Sequence, residues 1–172
     1  VKPDAAGAAV GLGEPYPSAD AALEIVRQNA GKVIVWCQHV ADVDLMSRTL
    51  AAANVRHVTC DGRTPQGDRP GLRRVFAEDP SVKVWLGTLA TGGVGVDLGG
   101  ADLMLFYSHG YDLVKRLQGL ERNYGSSQQA TRVDVVDLVA ADTVDERALA
   151  ALERKEDLAA RLTGARLREL IE

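Results

Sequence analysis

A chain of 172 residues, 46% hydrophobic and 26% charged, has the length and composition of one soluble globular domain and can bury a core without covalent staples. No apolar run approaches the roughly 20 residues that span a bilayer, and the start, Val1-Lys2-Pro3-Asp4, has neither the apolar stretch of a signal peptide nor an initiator Met, so it reads as a fragment or processed chain. The net charge of −4 argues against indiscriminate attraction to nucleic acid but leaves room for a local basic patch.

Residues 1–17, loose in composition and rich in Ala, Gly and Pro, read as a linker or arriving segment. Ser18 is expected to cap a helix whose apolar contacts are Leu23, Ile25 and Val26, with Gly31 stopping it. Val33-Ile34-Val35-Trp36 is a continuous apolar run, the mark of a strand buried on both faces. Val43, Met46, Leu50 and Ala53 then fall at helical spacing, followed by a second strand over 55–59. A helix over 68–77 opens near Pro70 and turns Leu72, Val75 and Phe76 inward. A third strand over 82–86 leads to the glycine-rich turn 91–95, a fourth strand over 101–107, a helix over 111–122 and a fifth strand over 133–139. Val144, Ala148, Leu152, Ala159 and Leu162 outline a long amphipathic helix, and Leu167, Leu170 and Ile171 a separate short one within 164–172. This alternation predicts a three-layer α/β domain over 18–163: a mostly parallel central sheet, helices on both faces and a C-terminal helical extension. Ligands in such a fold belong at the carboxyl ends of the strands, here after Trp36, Thr59, Leu86, Tyr107 and Val139.

Several chemistries are missing from those loops. No Gly-x-x-x-x-Gly-Lys-Ser/Thr is present, so the chain has no P-loop to cradle a triphosphate. Gly93-Val94-Gly95 lacks the third glycine of a dinucleotide fingerprint, since Leu98 stands there. There is no Gly-x-Ser-x-Gly, and His39, His57 and His109 have no zinc spacing. His57 reads as a strand residue, and His39 and His109 as solvated loop histidines. Cys37 and Cys60 are too few for a disulfide framework and read as reduced core thiols of a cytoplasmic protein.

Two segments offer more. Thr91-Gly92-Gly93-Val94-Gly95-Val96-Asp97 would let backbone N–H groups approach an anion, with Thr88 and Thr91 adding hydroxyl donors. On spacing alone a phosphate cradle and a plain tight turn fit equally. Farther on, Gln118 and Arg122 lie one helical turn apart on one face, an amide beside a guanidinium, which suits a phosphate but also an ordinary surface helix.

Taken in order, the pieces resemble the C-terminal RecA-like lobe of the Swi/Snf-type helicase-like ATPases, within helicase superfamily two, in the compact form of the bacteriophage members. The resemblance runs from about Ser18 to Leu162. Val33 to Gln38 is similar to motif IV, and Asp61-Gly62-Arg63-Thr64 with Arg69 to the segment after the second strand. Residues 86–98 are similar to motif V, with Asp97 where asparagine is frequent, and Phe106-Tyr107 to the strand before motif VI. Gln118 to Gln128 is similar to motif VI, and 133–145 to the closing strand and helix entry. One departure stands out: Arg122 holds the first arginine place of motif VI, whereas Gly125 holds the second and Ser127 replaces a glycine.

The resemblance implies roles. Arg122 would stabilise charge on the γ-phosphate, Gln118 would hold the interlobe geometry, and Gly95 and Asp97 would lie at the ATP, Asp97 near the ribose. Gln38, Thr88, Thr91, Gly92 and Gly93 would meet phosphates of one strand of double-stranded DNA, with Tyr111, Arg63 and Arg69 as further contacts. ATP and Mg2+ would be held mainly by an N-terminal RecA-like lobe that carries the P-loop, so this chain alone is expected not to hydrolyse ATP. No membrane partner is expected, and the setting would be bacterial cytoplasm or that of a phage-infected host. Two other classes remain open: a degenerate, non-catalytic lobe that docks DNA or protein, and a Rossmann-type small-molecule enzyme, for which Cys37-Gln38-His39 supplies no fingerprint.

Overall fold

The computed structural model describes residues 2–3, 9–10, 16–91, 98–121 and 132–169. Two short strands, β1 (Lys2–Pro3) and β2 (Ala9–Val10), pair antiparallel within the segment expected to be a linker. Helix α1 (Pro17–Gln28) follows, then β3 (Lys32–Cys37), α2 (Val40–Ala52), β4 (His57–Cys60), α3 (Arg69–Glu78), β5 (Val84–Thr88), β6 (Ala101–Phe106), α4 (Leu113–Glu121), β7 (Asp134–Asp137) and α5 (Val144–Glu169). The five main strands form one sheet in the order β4-β5-β3-β6-β7, and each pairing is parallel. The apolar runs therefore occupy the centre: β5 is buried at every residue, and β3 at every residue after Lys32.

The sheet is covered on both faces. On one, Ala19, Ala22 and Val26 of α1 and Val43, Met46 and Leu50 of α2 pack on Val33, Val35, Val84, Leu86, Leu103 and Leu105. On the other, Phe76 of α3 joins Ile34, Trp36, Trp85, Met104 and Phe106, with Leu120 of α4 at its margin. The chain crosses toward β4 over the first face and returns toward β7 over the second, as crossovers of a single hand require. Cys37 and Cys60 are free and buried, and burial pushes both thiols up.

Local chemistry set several boundaries differently from expectation. Ser18 does not cap α1: Pro17, whose φ suits the first helical position, starts the helix, and the Ser18 hydroxyl bonds the Tyr107 hydroxyl at 3.0 Å instead. Helix α2 ends where Asn54 turns left-handed at φ 57°. The Asn54 N–H then bonds the Ala51 carbonyl and the Val55 N–H that of Leu50, a Schellman closure that delays the second strand to His57. In α3, Phe76 is buried but Val75 is 43% exposed, because the helix lies over the β4 edge and buries only the Leu72–Phe76 row. The separate short helix expected within 164–172 is instead the continuation of α5, which runs unbroken to Glu169. The one weak point, Gly164, costs a helix interior only about 1 kcal/mol and is too little to stop it.

Candidate nucleic-acid and nucleotide interface

Three strand ends meet around the expected contacts. The Tyr107 N–H donates to the Trp36 carbonyl at 2.9 Å and the Leu89 N–H to that of Cys37 at 3.4 Å, so β3, β5 and β6 finish side by side. Gln38 leaves β3 here. Its N–H donates to Ser108 Oγ at 2.8 Å, and Ser108 Oγ donates to Asp42 Oδ2 at 2.7 Å. Asp42, in the first turn of α2, also accepts the His39 N–H at 3.3 Å. The Gln38 carboxamide lies against Gly110, where a Cβ would fall 2.5 Å from its Oε1, and it makes no hydrogen bond among the described residues. Among the described residues it is an unpaired donor and acceptor at the strand ends.

Thr88 closes β5 and Thr91 follows it, both buried. Thr88 Oγ1 donates to Thr91 Oγ1 at 2.9 Å, which leaves the Thr91 hydroxyl proton for another acceptor. The segment after β4 packs here too. A Cβ at Gly62 would lie 3.8 Å from Thr91 Oγ1, and Arg69 donates to the carbonyls of Thr64 (3.1 Å) and Thr91 (3.5 Å). Gln38, Thr88, Thr91 and Arg69 thus all belong to the carboxyl end of the sheet.

Arg63 is placed differently from the expectation that it faces phosphate. Its guanidinium is bound to the buried Asp61 carboxylate at 2.6 Å and to Asp44 of α2 at 2.7 Å. The Arg63 guanidinium bond, outweighing the effect of burial, holds the Asp61 carboxyl below the usual range. A depressed carboxyl stabilises the fold above its unfolded value and loses that contribution as pH falls through the folded one. Acid should therefore destabilise the wild-type chain more steeply below about pH 3.8 than it does Asp61→Asn, which titrates nothing there. Urea midpoints measured from pH 2 to 5 check this, and parallel curves for the two proteins would contradict it.

Tyr111 is 51% exposed just before α4, and Gln118 is exposed on that helix. Gly92, Gly93, Gly95, Asp97 and Arg122 lie outside the described residues, as do Gly125 and Ser127. His109 is no solvated loop residue: its side chain is 1% exposed, and Nε2 donates to the Leu138 carbonyl at 2.9 Å. His39 is exposed, and His57 sits in β4 with Ser47 and the Val55 carbonyl as partners. The sequence reading missed Ser108 and Asp42. Asp42 carried a usable signal, an acid three residues past the N-cap His39 in the first turn of a helix; Ser108 carried none. A cavity of about 520 Å³ between Leu23 of α1 and Leu45 of α2 touches none of these residues.

Residues 18–124 match the helicase conserved C-terminal domain. The chain belongs to that family. Among relatives of this helicase C-terminal domain, the human TATA-binding protein-associated factor 172 is 29% identical over 87% of the chain. The chromatin-remodeling ATPase INO80 of Cryptococcus neoformans is 26% identical over 81%. The uncharacterized ATP-dependent helicase MG018 of Mycoplasma genitalium is 28% identical over 84%. The chain spans only 8%, 7% and 14% of the lengths of these three. The crystal structure of the C-terminal part of the Fun30 ATPase domain superimposes with a TM-score of 0.74 at 19% identity, covering 78% of this chain and 44% of that one. The fold is thus the RecA-like α/β lobe. No helix among the described residues is long and apolar enough to cross a membrane.

Proposed function

We propose that this domain is the second motor lobe of a Swi/Snf-type, ATP-dependent DNA translocase. In this reading it contributes motifs IV, V and VI to contact with the backbone of double-stranded DNA and to an ATP site shared with an N-terminal RecA-like lobe. The observation that carries the reading is the gathering of Gln38, Thr88 and Thr91 at one sheet end. A free carboxamide and a hydroxyl with a proton to give are donors suited to phosphate oxygens. Tyr111 and the glycines Gly92 and Gly93 would extend that track, and Arg69 would brace it rather than touch DNA. Arg63, held by Asp61 and Asp44, would join only by leaving its carboxylates. Gln118, Gly95, Asp97 and Arg122 form this lobe's share of the ATP site, and Mg2+ accompanies the nucleotide chiefly on the other lobe. Similarity to proteins named as a remodeling ATPase and an ATP-dependent helicase supports the use of ATP. The phage-like form, and a bacterial or phage-infected host cytoplasm, rest on the resemblance of the sequence alone.

The test is titration of labelled duplex DNA. Binding by this one side of a clamp is expected to be weak. Gln38, Thr88 and Thr91 are neutral donors that release no counterions, so the salt dependence should be shallow, roughly three- to fourfold between about 50 and 200 mM salt if Arg63 alone reaches a phosphate. Gln38→Ala should weaken it at every sequence. Tight binding by this lobe alone would contradict the reading. A second reading, a non-catalytic lobe that docks a protein, is favoured by Gly125 standing in an arginine place, and absence of binding at low salt would select it.

A further inference from the structure

Helix α4 is poorly anchored by apolar contact. It has nine residues, below the roughly 12–15 at which an isolated helix becomes even marginal in water. Val114 and Leu117 are 63% and 41% exposed, and only Gly119 is fully buried. What ties it down is Arg116. Its guanidinium donates to both oxygens of Asp137 on β7, at 2.7 and 2.8 Å. It also lies over the Phe106 ring of β6, 4.3 Å from the centroid, and 3.8 Å from Glu156 of α5. The side chain is only 11% exposed. Asp137 is itself oriented: its carboxylate lies 3.6 Å from Nδ1 of the buried His109, which is fixed on the Leu138 carbonyl.

We propose that Arg116 is the positioning residue of the motor: a two-toothed clamp that sets the direction in which α4 presents Gln118 and delivers the chain to Arg122. This deepens, and rests on, the reading of α4 as the entry to motif VI. A planar fork fixes both distance and angle, which an ammonium cannot do, so the clamp specifies an orientation that the thin apolar footprint of α4 leaves loose. Arg116 touches no substrate; it acts through the residues that follow it.

The experiment has two arms. In the 172-residue chain, amide hydrogen exchange of residues 113–121 is compared for wild type, Arg116→Ala and Arg116→Lys. Arg116→Ala should speed exchange there at least tenfold while β3 and β5 change less than twofold, with Arg116→Lys intermediate. Unchanged exchange over 113–121, or equal loosening of the whole sheet, would overturn the clamp. In the two-lobed protein, Arg116→Ala should lower kcat about tenfold or more with KM for ATP within twofold, and Arg116→Lys should restore part of it. Selective loosening with unchanged kcat would uphold the clamp and sink the motif VI reading instead.

Discussion

Arg122→Ala, made in a protein that carries both lobes, is expected to lower kcat for DNA-stimulated ATP hydrolysis by roughly a hundredfold or more. Arg122 follows directly on α4, which ends at Glu121, and in the proposed reading it holds the motif VI place for a cation that meets the terminal phosphate. Gly125, at the second such place, has no side chain to share that work. Negative charge grows on the phosphoryl oxygens as the bond to the leaving group breaks, so the loss should fall on turnover and spare ATP affinity. Gly125→Arg is the converse test. It should raise turnover if the backbone there accepts a side chain, and should not if the glycine serves a left-handed turn. Steady-state assays with saturating DNA decide the matter: unchanged kcat in Arg122→Ala would remove the basis for calling this stretch a working motif VI.

Trp36→Ala is expected to destabilise the chain by about 3–5 kcal/mol, which for a domain of this length lowers Tm by roughly 6–20 °C. Trp36 is 1% exposed at the end of β3, and its ring is a shared platform. A Cβ on Gly87 would fall 3.4 Å from its Cζ3, and one on Gly119 3.5 Å from its Nε1. The side chain thus supports both the strand that leads to Thr88 and the helix that carries Gln118. Its indole Nε1 is buried without a hydrogen-bond partner among the described residues. Trp36→Phe therefore sacrifices ring volume but no hydrogen bond, and should cost well under half as much as the Ala variant. Thermal melts of the two variants check the contrast; equal losses would mean that the indole N–H has a partner after all.

The central strands were legible because burial on both faces demands unbroken apolar runs, and Val33–Trp36 and Val84–Leu86 have them. The parallel sheet followed from strands alternating with helices, since parallel neighbours need crossovers. Element ends were harder to read. Pro17 rather than Ser18 opens α1, and Asn54 closes α2 by turning left-handed. Both choices depend on a single residue, where a helical period averages over many.

Side-chain partners across the fold were not legible. Arg63 looked like a free phosphate donor because one of its carboxylates, Asp44 on α2, reaches the Asp61–Arg63 loop only through the packing of α2 beside β4. His109 looked solvated because Leu138 and Asp137, which bury and hold it, lie more than 25 residues away in sequence. Arg116 gave no signal at all: a charge on a short helix reads as surface until Phe106, Asp137 and Glu156 converge on it. The sequence alone determined the order of the helices and main-sheet strands from residue 17 onward, because these follow from local periodicity and spacing. Only the tertiary structure decided which charges are spent on one another and which donors, such as the half-buried Gln38 carboxamide, keep no partner among the described residues. Pairing depends on distances between segments remote in sequence, and a charge or hydroxyl is free only when no such segment reaches it.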